Sequence, residues 1–244
     1  MPWPPSHGLL RSSHRSPFAA GLLELARNAK TAFCVKSTVS SRCHFWNSGD
    51  AFCVARHLKE AGFAVEGTAH FVLQVHYSNL MNLSGQEDSS GYQLCVTDQL
   101  RQNDADIMAF GTTQINIPAN GTQDITCNLT VPAIIPQVTV FAGMPHMHKL
   151  GTLMSTVNHP ASGGAPVDLG TADPWNFQNQ AWTMLDKSVT LGPGDKVSAR
   201  CAWDNPTNKD VHYGETTSDE MCFGFLMYYP RIQTQGWQWG APAA

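Results

Sequence analysis

From His70 onward, apolar residues recur in period two within short runs, and turn residues separate those runs. In the segment His70–Tyr77, Phe71, Leu73, Val75 and Tyr77 fall on one face, while His70, Val72, Gln74 and His76 fall on the other. The same pattern predicts strands at Tyr92–Thr97, Ile107–Gly111, Asp124–Leu129 and Gln137–His148. Further strands are expected at Trp182–Leu185, Ser188–Leu191, Lys196–Ala202 and Met221–Tyr229. Asn120-Gly121, Gly163-Gly164 and Gly192-Pro-Gly-Asp195 supply turns between them. With 20 glycines and 15 prolines in 244 residues and little helical spacing, the chain is expected to be all-β, an antiparallel, jelly-roll-like β-sandwich.

Composition narrows the function. Hydrophobic residues make up 42% of the chain, enough for a core, and the net charge of -4 comes without any basic stripe, so no nucleic-acid footprint is expected. No apolar stretch approaches the ~20 residues of a membrane helix, so the chain is not expected to span a bilayer that way. Residues 1–66 differ in texture and carry no assigned chemistry. Residues 1–36 are rich in arginine, lysine and serine with Glu24 as the only acid, which resembles an organelle transit segment; the apolar run Phe18–Leu23 is too short for a secretory signal. Ala51–Gly62 has the spacing of one short helix. The seven cysteines are an odd number and contain no CxxC, which argues against zinc ribbons and thioredoxin-type sites.

Chemistry concentrates in three strings. In Met144-Pro-His-Met-His148, His146 and His148 stand two apart on an expected strand, so both imidazoles project from one face, as a metal bound by neutral imidazoles requires. Two surface histidines near a strand end fit the same string. A cupin is excluded because no glutamate follows within Lys149–Met154. In Asp219–Pro230, Met221, Phe223, Phe225 and Met227 alternate with Cys222, Gly224, Leu226 and Tyr228. A thioether is a soft ligand suited to Cu(I), though a methionine on a strand is more often core filler. Gln74 and His76 share the polar face of their strand, where a histidine is ordinarily a satisfied side chain.

Together the strings Phe71–Tyr77, Asp88–Gly91, Pro145–Gly151, Val189–Asp195 and Asp219–Pro230 resemble, in order, the copper type II ascorbate-dependent monooxygenases. The resemblance implies an oxidoreductase with two β-sandwich copper domains that use ascorbate and O2 to hydroxylate a small organic substrate. It maps the oxygen-binding copper onto His146, His148 and Met221, one ligand of the electron-donating copper onto His76, and a position near the electron path onto Gln74. It also implies a Cys201–Cys222 disulfide beside the methionine ligand, and a secreted or secretory-lumen location. The division it suggests is a 1–66 atypical segment, a 67–85 remnant of the first copper domain with its linker, a complete 86–235 second copper domain, and a 236–244 tail.

The departures from the family are specific. The chain has no His-His pair, although the family's electron site needs one; His44 and His57 stand isolated. Either a partner chain supplies the missing domain, or the chain is a copper-binding fragment or degenerate paralogue without turnover. Met144 replaces an arginine and Phe225 a tyrosine of the peptide-amidating members, which disfavours a substrate with a C-terminal carboxylate. Cys127 matches a family cysteine whose partner is absent, and Cys95 is a candidate substitute. Asn82-Leu-Ser84, Asn120-Gly-Thr122 and Asn128-Leu-Thr130 are glycosylation sequons that matter if the chain enters a eukaryotic secretory pathway.

Overall fold

The structure, a computed structural model, describes residues 60–64, 82, 84, 85, 87 and 98–232, and the backbone alone of 32–38 and 91–97. The strands before the sandwich core are β1 (Ala32–Thr38), β2 (Ala61–Gly62), β3 (Gly91–Thr97) and β4 (Asn103–Asp104). There follow β5 (Asp106–Gly111), β6 (Asn116–Ile117), β7 (Gly121–Thr130), β8 (Val138–Met147) and β9 (Gly151–His159). The last five are β10 (Val167–Ala172), β11 (Thr183–Leu191), β12 (Lys196–Asn205), β13 (Val211–His212) and β14 (Cys222–Tyr229). Two four-stranded antiparallel sheets dominate, ordered β10-β9-β12-β7 and β11-β8-β14-β5. No helix is present among the described residues.

The sheets pack face to face because each strand lends one apolar side to a shared core. Val138, Val140, Leu226 and Tyr228 of one sheet meet Leu169, Val197 and Ala199 of the other. At the far end Met147 and Cys222 meet Met154, Cys201 and Trp203. There the expected Cys201–Cys222 disulfide joins β12 to β14 with a Cα–Cα distance of 6.0 Å, a staple between sheets rather than within one. Closing a loop of 21 residues, it restricts the unfolded chain by about 3 kcal/mol on chain-entropy grounds.

One irregularity positions everything that follows. On β14 alternation is unbroken, with Cys222, Leu226 and Tyr228 inward and Met227 outward against Ala61, Phe63 and Trp182. On β8 it is not: Ala142 pairs with Met227 but Val140 pairs with Tyr228, so Phe141 is an extra residue with no ladder partner. β11 skips it as well, pairing Met184 with Ala142 and Val189 with Val140. This β-bulge inverts the parity of the strand. Val138 and Val140 face the core, but beyond Phe141 the even-numbered residues Met144, His146 and His148 face outward, while Gly143 and Met147 turn in.

The structure also corrects several sequence expectations. Thr183–Leu191 is one strand, where two short ones were expected, and β9 and β10 were not anticipated at all. The inward side of β9 carries Met154, Thr156 and Asn158, all buried, and its outward side carries Leu153, Ser155 and Val157. With polar and apolar residues on both faces, no period-two signal survives. The expected helix fails at its described end, because Ala61-Gly62 pairs in parallel with Asn103-Asp104; residues 51–59 lie outside the described residues. Cys95 does not substitute as the partner of Cys127. Cys127 is a buried free thiol, and Cys95 lies on β3 in register with Cys34 of β1.

Gly143 tests the packing of the sheets. A Cβ there would collide with the backbone carbonyl of Leu169 on β10, which cannot rotate away. Gly143→Ala should therefore lower stability by about 1–3 kcal/mol, as overpacking does, read as a reduced urea midpoint with an unchanged β-type circular dichroism spectrum.

Candidate metal centre

Register sets the site. Phe223 pairs with His146 and Phe225 with Met144, so these four positions share the outward face of their sheet. Cys222 pairs with Met147, and one further step along the ladder sets Met221 opposite His148, with the parity of Phe223. Three sequence-predicted positions, His146, His148 and Met221, are thus gathered at one end of β8 and β14. The rings of His146 and His148 are 5.5 Å apart and nearly perpendicular. His148 is buried, while His146 and Met221 are half-buried.

Each ring is oriented through Nδ1. Gln180 donates its Nε2 to the Phe177 carbonyl at 2.9 Å, which turns its Oε1 toward His146 Nδ1 at 2.7 Å. The Nδ1–H of His146 is then the donor, and the lone pair lies on Nε2. The Nδ1–H of His148 donates to the Asp219 carbonyl at 2.8 Å, with the same consequence. Two imidazoles presenting Nε2 lone pairs, with a methionine at the register position opposite His148, would make a donor set suited to a soft, imidazole-tolerant ion, and Cu(I) fits such a set better than zinc or magnesium. Burial, the neighbouring His148 and, in the opposite sense, the Gln180 hydrogen bond set the His146 pKa, which falls to about 4. At neutral pH a proton does not compete for that nitrogen.

Three residues that the sequence reading did not single out hold the histidines. Glu220 is fully buried and accepts three hydrogen bonds: from the His148 N–H at 3.0 Å, the Leu150 N–H at 2.7 Å and the Trp203 Nε1–H at 2.9 Å. Burial pushes its carboxyl above the usual range, and these N–H donors pull the other way. Trp175 donates Nε1–H to the His148 carbonyl at 2.9 Å. It shares the β10–β11 loop with Gln180, so that loop straps both histidines. On the same outward face the Phe225 ring lies 5.8 Å from that of His146 and 6.1 Å from that of Phe223, and Tyr213 stands edge-on to Phe223 at 6.2 Å.

Gln74 and His76, like His44 and His57, lie outside the described residues. Among the described residues no cluster of three or more His, Cys, Asp or Glu side chains could hold a metal.

The depressed pKa of His146 has a measurable consequence in the metal-free chain. Folded His146 binds its proton near pH 4, against 6.5 for an ordinary histidine, so between those values the unfolded chain holds the extra proton. Its contribution to stability should be intact above pH 6.5 and decline as pH falls toward about 4. Glu220, with a raised carboxyl, slopes the other way as its own proton leaves. The expected result is therefore a difference: urea midpoints of wild type minus His146→Asn should fall between pH 6.5 and 4 and flatten below.

Comparison with known proteins bears on the family of the chain. Residues 103–238 match the family described as copper type II ascorbate-dependent monooxygenase, C-terminal domain. Dopamine beta-hydroxylase of Canis lupus familiaris is 30% identical over 191 residues, covering 72% of this chain and 30% of its own length. The Equus caballus enzyme of the same name is 32% identical over 190 residues, 72% of this chain and 31% of its own. Tyramine beta-hydroxylase of Caenorhabditis briggsae is 27% identical over 194 residues, 72% and 32% respectively. The chain thus spans about a third of the length of these relatives. The subviral-particle structure of infectious bursal disease virus VP2 overlaps 86% of this chain and 55% of its own at 9% identity, with a TM-score of 0.27 too low to bear on the fold. On the family match, which takes in more than half of the sequence, the chain belongs to the copper type II ascorbate-dependent monooxygenases, a family whose metal is copper and whose reductant is ascorbate.

Proposed function

We propose that this chain carries the oxygen-activating half of a copper monooxygenase that hydroxylates a small organic substrate, with His146, His148 and Met221 as the copper ligands. The observation that supports it most is the placing of these three register positions on one outward face, with both Nδ1 atoms already engaged. When bound, copper supplies the electron transfer to O2 that lets one oxygen atom enter a substrate C–H bond and the other leave as water, with two electrons drawn from ascorbate.

The chain's own residues then act by holding and excluding. Gln180 and the Asp219 carbonyl fix the two tautomers, so each Nε2 meets the metal without rotating or losing a proton. Glu220 and Trp175 hold the main chain at His148 between them. Phe223, Phe225 and Met144 share the outward face with His146 and keep water from the reacting carbon, and none of these three side chains can pair with a carboxylate. A C-terminal carboxylate peptide is therefore disfavoured as substrate. We assign His76 to the electron-donating copper and Gln74 to the electron path, with a partner chain supplying the ligands this sequence lacks. The buried Cys201–Cys222 cystine supports a secretory-lumen location, where disulfides persist.

Copper counted per chain after anaerobic Cu(I) loading and desalting should approach one, and the bound metal should be lost in the His146→Ala/His148→Ala variant. Met221→Ile should keep the fold, weaken Cu(I) binding and abolish hydroxylation; unchanged Cu(I) affinity in that variant would remove Met221 from the ligand set. Gln180→Leu should lower copper affinity about 10–100-fold, as loss of a partner hydrogen-bonded to a ligand does, measured by competition with a Cu(I) chelator, and should also lower the urea midpoint because His146 Nδ1–H and the Phe177 carbonyl lose their partner.

A further inference from the structure

We propose that Asn120 and Asn128 carry N-linked oligosaccharides and that these cover the edge of the sheet opposite the metal centre. Strand β7 ends the sheet β10-β9-β12-β7 and, among the described residues, pairs with β12 alone along all ten of its residues. A ten-residue edge is a template for another strand, and proteins usually protect such an edge with lysine, proline, a bulge or a covering element. Residues Gly121–Thr130 contain no lysine, arginine or proline, and their register with β12 runs without a shift. Their single charge, Asp124, is held by Arg200 in an exposed ion pair at 2.6 Å.

The two sequons bracket this bare edge. Asn120-Gly-Thr122 stands at the turn into β7, where Asn120 has a φ of 50°, and Asn128-Leu-Thr130 occupies its last three positions. Asn120, Asn128 and both threonines are exposed, whereas Cys127 between them is buried. Outward residues on β7 face away from the second sheet, so an oligosaccharide on Asn128 stands on the opposite face of the sandwich from His146 and His148. Eight residues of extended chain separate the two asparagines by about 26 Å, enough for one glycan to shield each end. In the transfer, a sugar C1–O bond to a lipid pyrophosphate breaks and a C1–N bond to asparagine Nδ2 forms. The amide gives up one proton and the lipid pyrophosphate departs, with no change of oxidation state. Neither sequon has proline in its middle position, so both can accept.

The inference rests on the secretory-lumen location proposed above, and its test separates the two. The full chain behind a cleavable secretion leader is expressed in cultured eukaryotic cells, and the membrane-enclosed and secreted fractions are treated with peptide N-glycosidase in heavy-oxygen water. Site-resolved mass spectrometry should find labelled aspartate at positions 120 and 128, lost individually in Thr122→Ala and Thr130→Ala. Sedimentation of the Asn120→Gln/Asn128→Gln variant, and of the folded wild type after enzymatic trimming, should show a shift to larger species. Unlabelled Asn120 and Asn128 in chains whose Cys201–Cys222 bond has formed overturn the proposal. Labelled sites with a trimmed protein that still sediments as the untrimmed one overturn the covering role. A glycosylated chain that binds no copper counts against the metal reading and leaves this one standing.

Discussion

The candidate site depends on a single extra residue. Side-chain alternation along a strand has a period of two, so His146 and His148 have the same parity as Val138 and Val140 and would be driven between the sheets if β8 were regular. Phe141 has no ladder partner on either neighbouring strand, and everything after it is turned over. β14 has no such insertion, so Met221 and Phe223 keep the outward face that they share with Met227. Only because one strand is bulged and the other is not do two histidines and a methionine, more than seventy positions apart in the chain, arrive on the same side of a sheet. Bulges are common where a side chain has to be re-aimed toward a site, and here the facing of both candidate histidines depends on one.

What holds the set is a buried polar frame on an apolar foundation. A carboxylate as buried as Glu220 is costly without partners, and it has three, one of them the peptide N–H of His148. Its neighbour in sequence is Met221 and the next residue is the half-cystine Cys222, so the β14 end of the site is clamped from both sheets. Gln180 and Trp175 complete the frame from the β10–β11 loop. These contacts restrict both rings, and a metal bound as proposed would need correspondingly less ordering.

Much of this was legible in the residues, and the remainder was hidden for identifiable reasons. The sandwich was visible because most strands alternate cleanly, and β9 escaped because Thr156 and Asn158 interrupt its buried side. The HxH pair and Met221 were visible as soft and imidazole donors on strands. Glu220 lay inside a string already noticed, yet a carboxylate beside a methionine says nothing about which N–H groups it will meet 70 and 72 positions earlier. Gln180, 34 residues from His146, has no local signature at all. The parity of β8 was similarly opaque. Gln137–His148 reads as one continuous strand, and a bulge is known only when the partner strands are in place.

The sequence by itself determined the class of fold, the family and the donor types available, because alternation, turn residues and ligand chemistry are properties of short segments. Only the tertiary structure decided which face those donors occupy, which hydrogen-bond partner sets each imidazole tautomer, and that Cys201 and Cys222 join two sheets while Cys127 stays a thiol. Those outcomes depend on pairing between strands distant in the chain, and a one-residue change of register reverses every one of them.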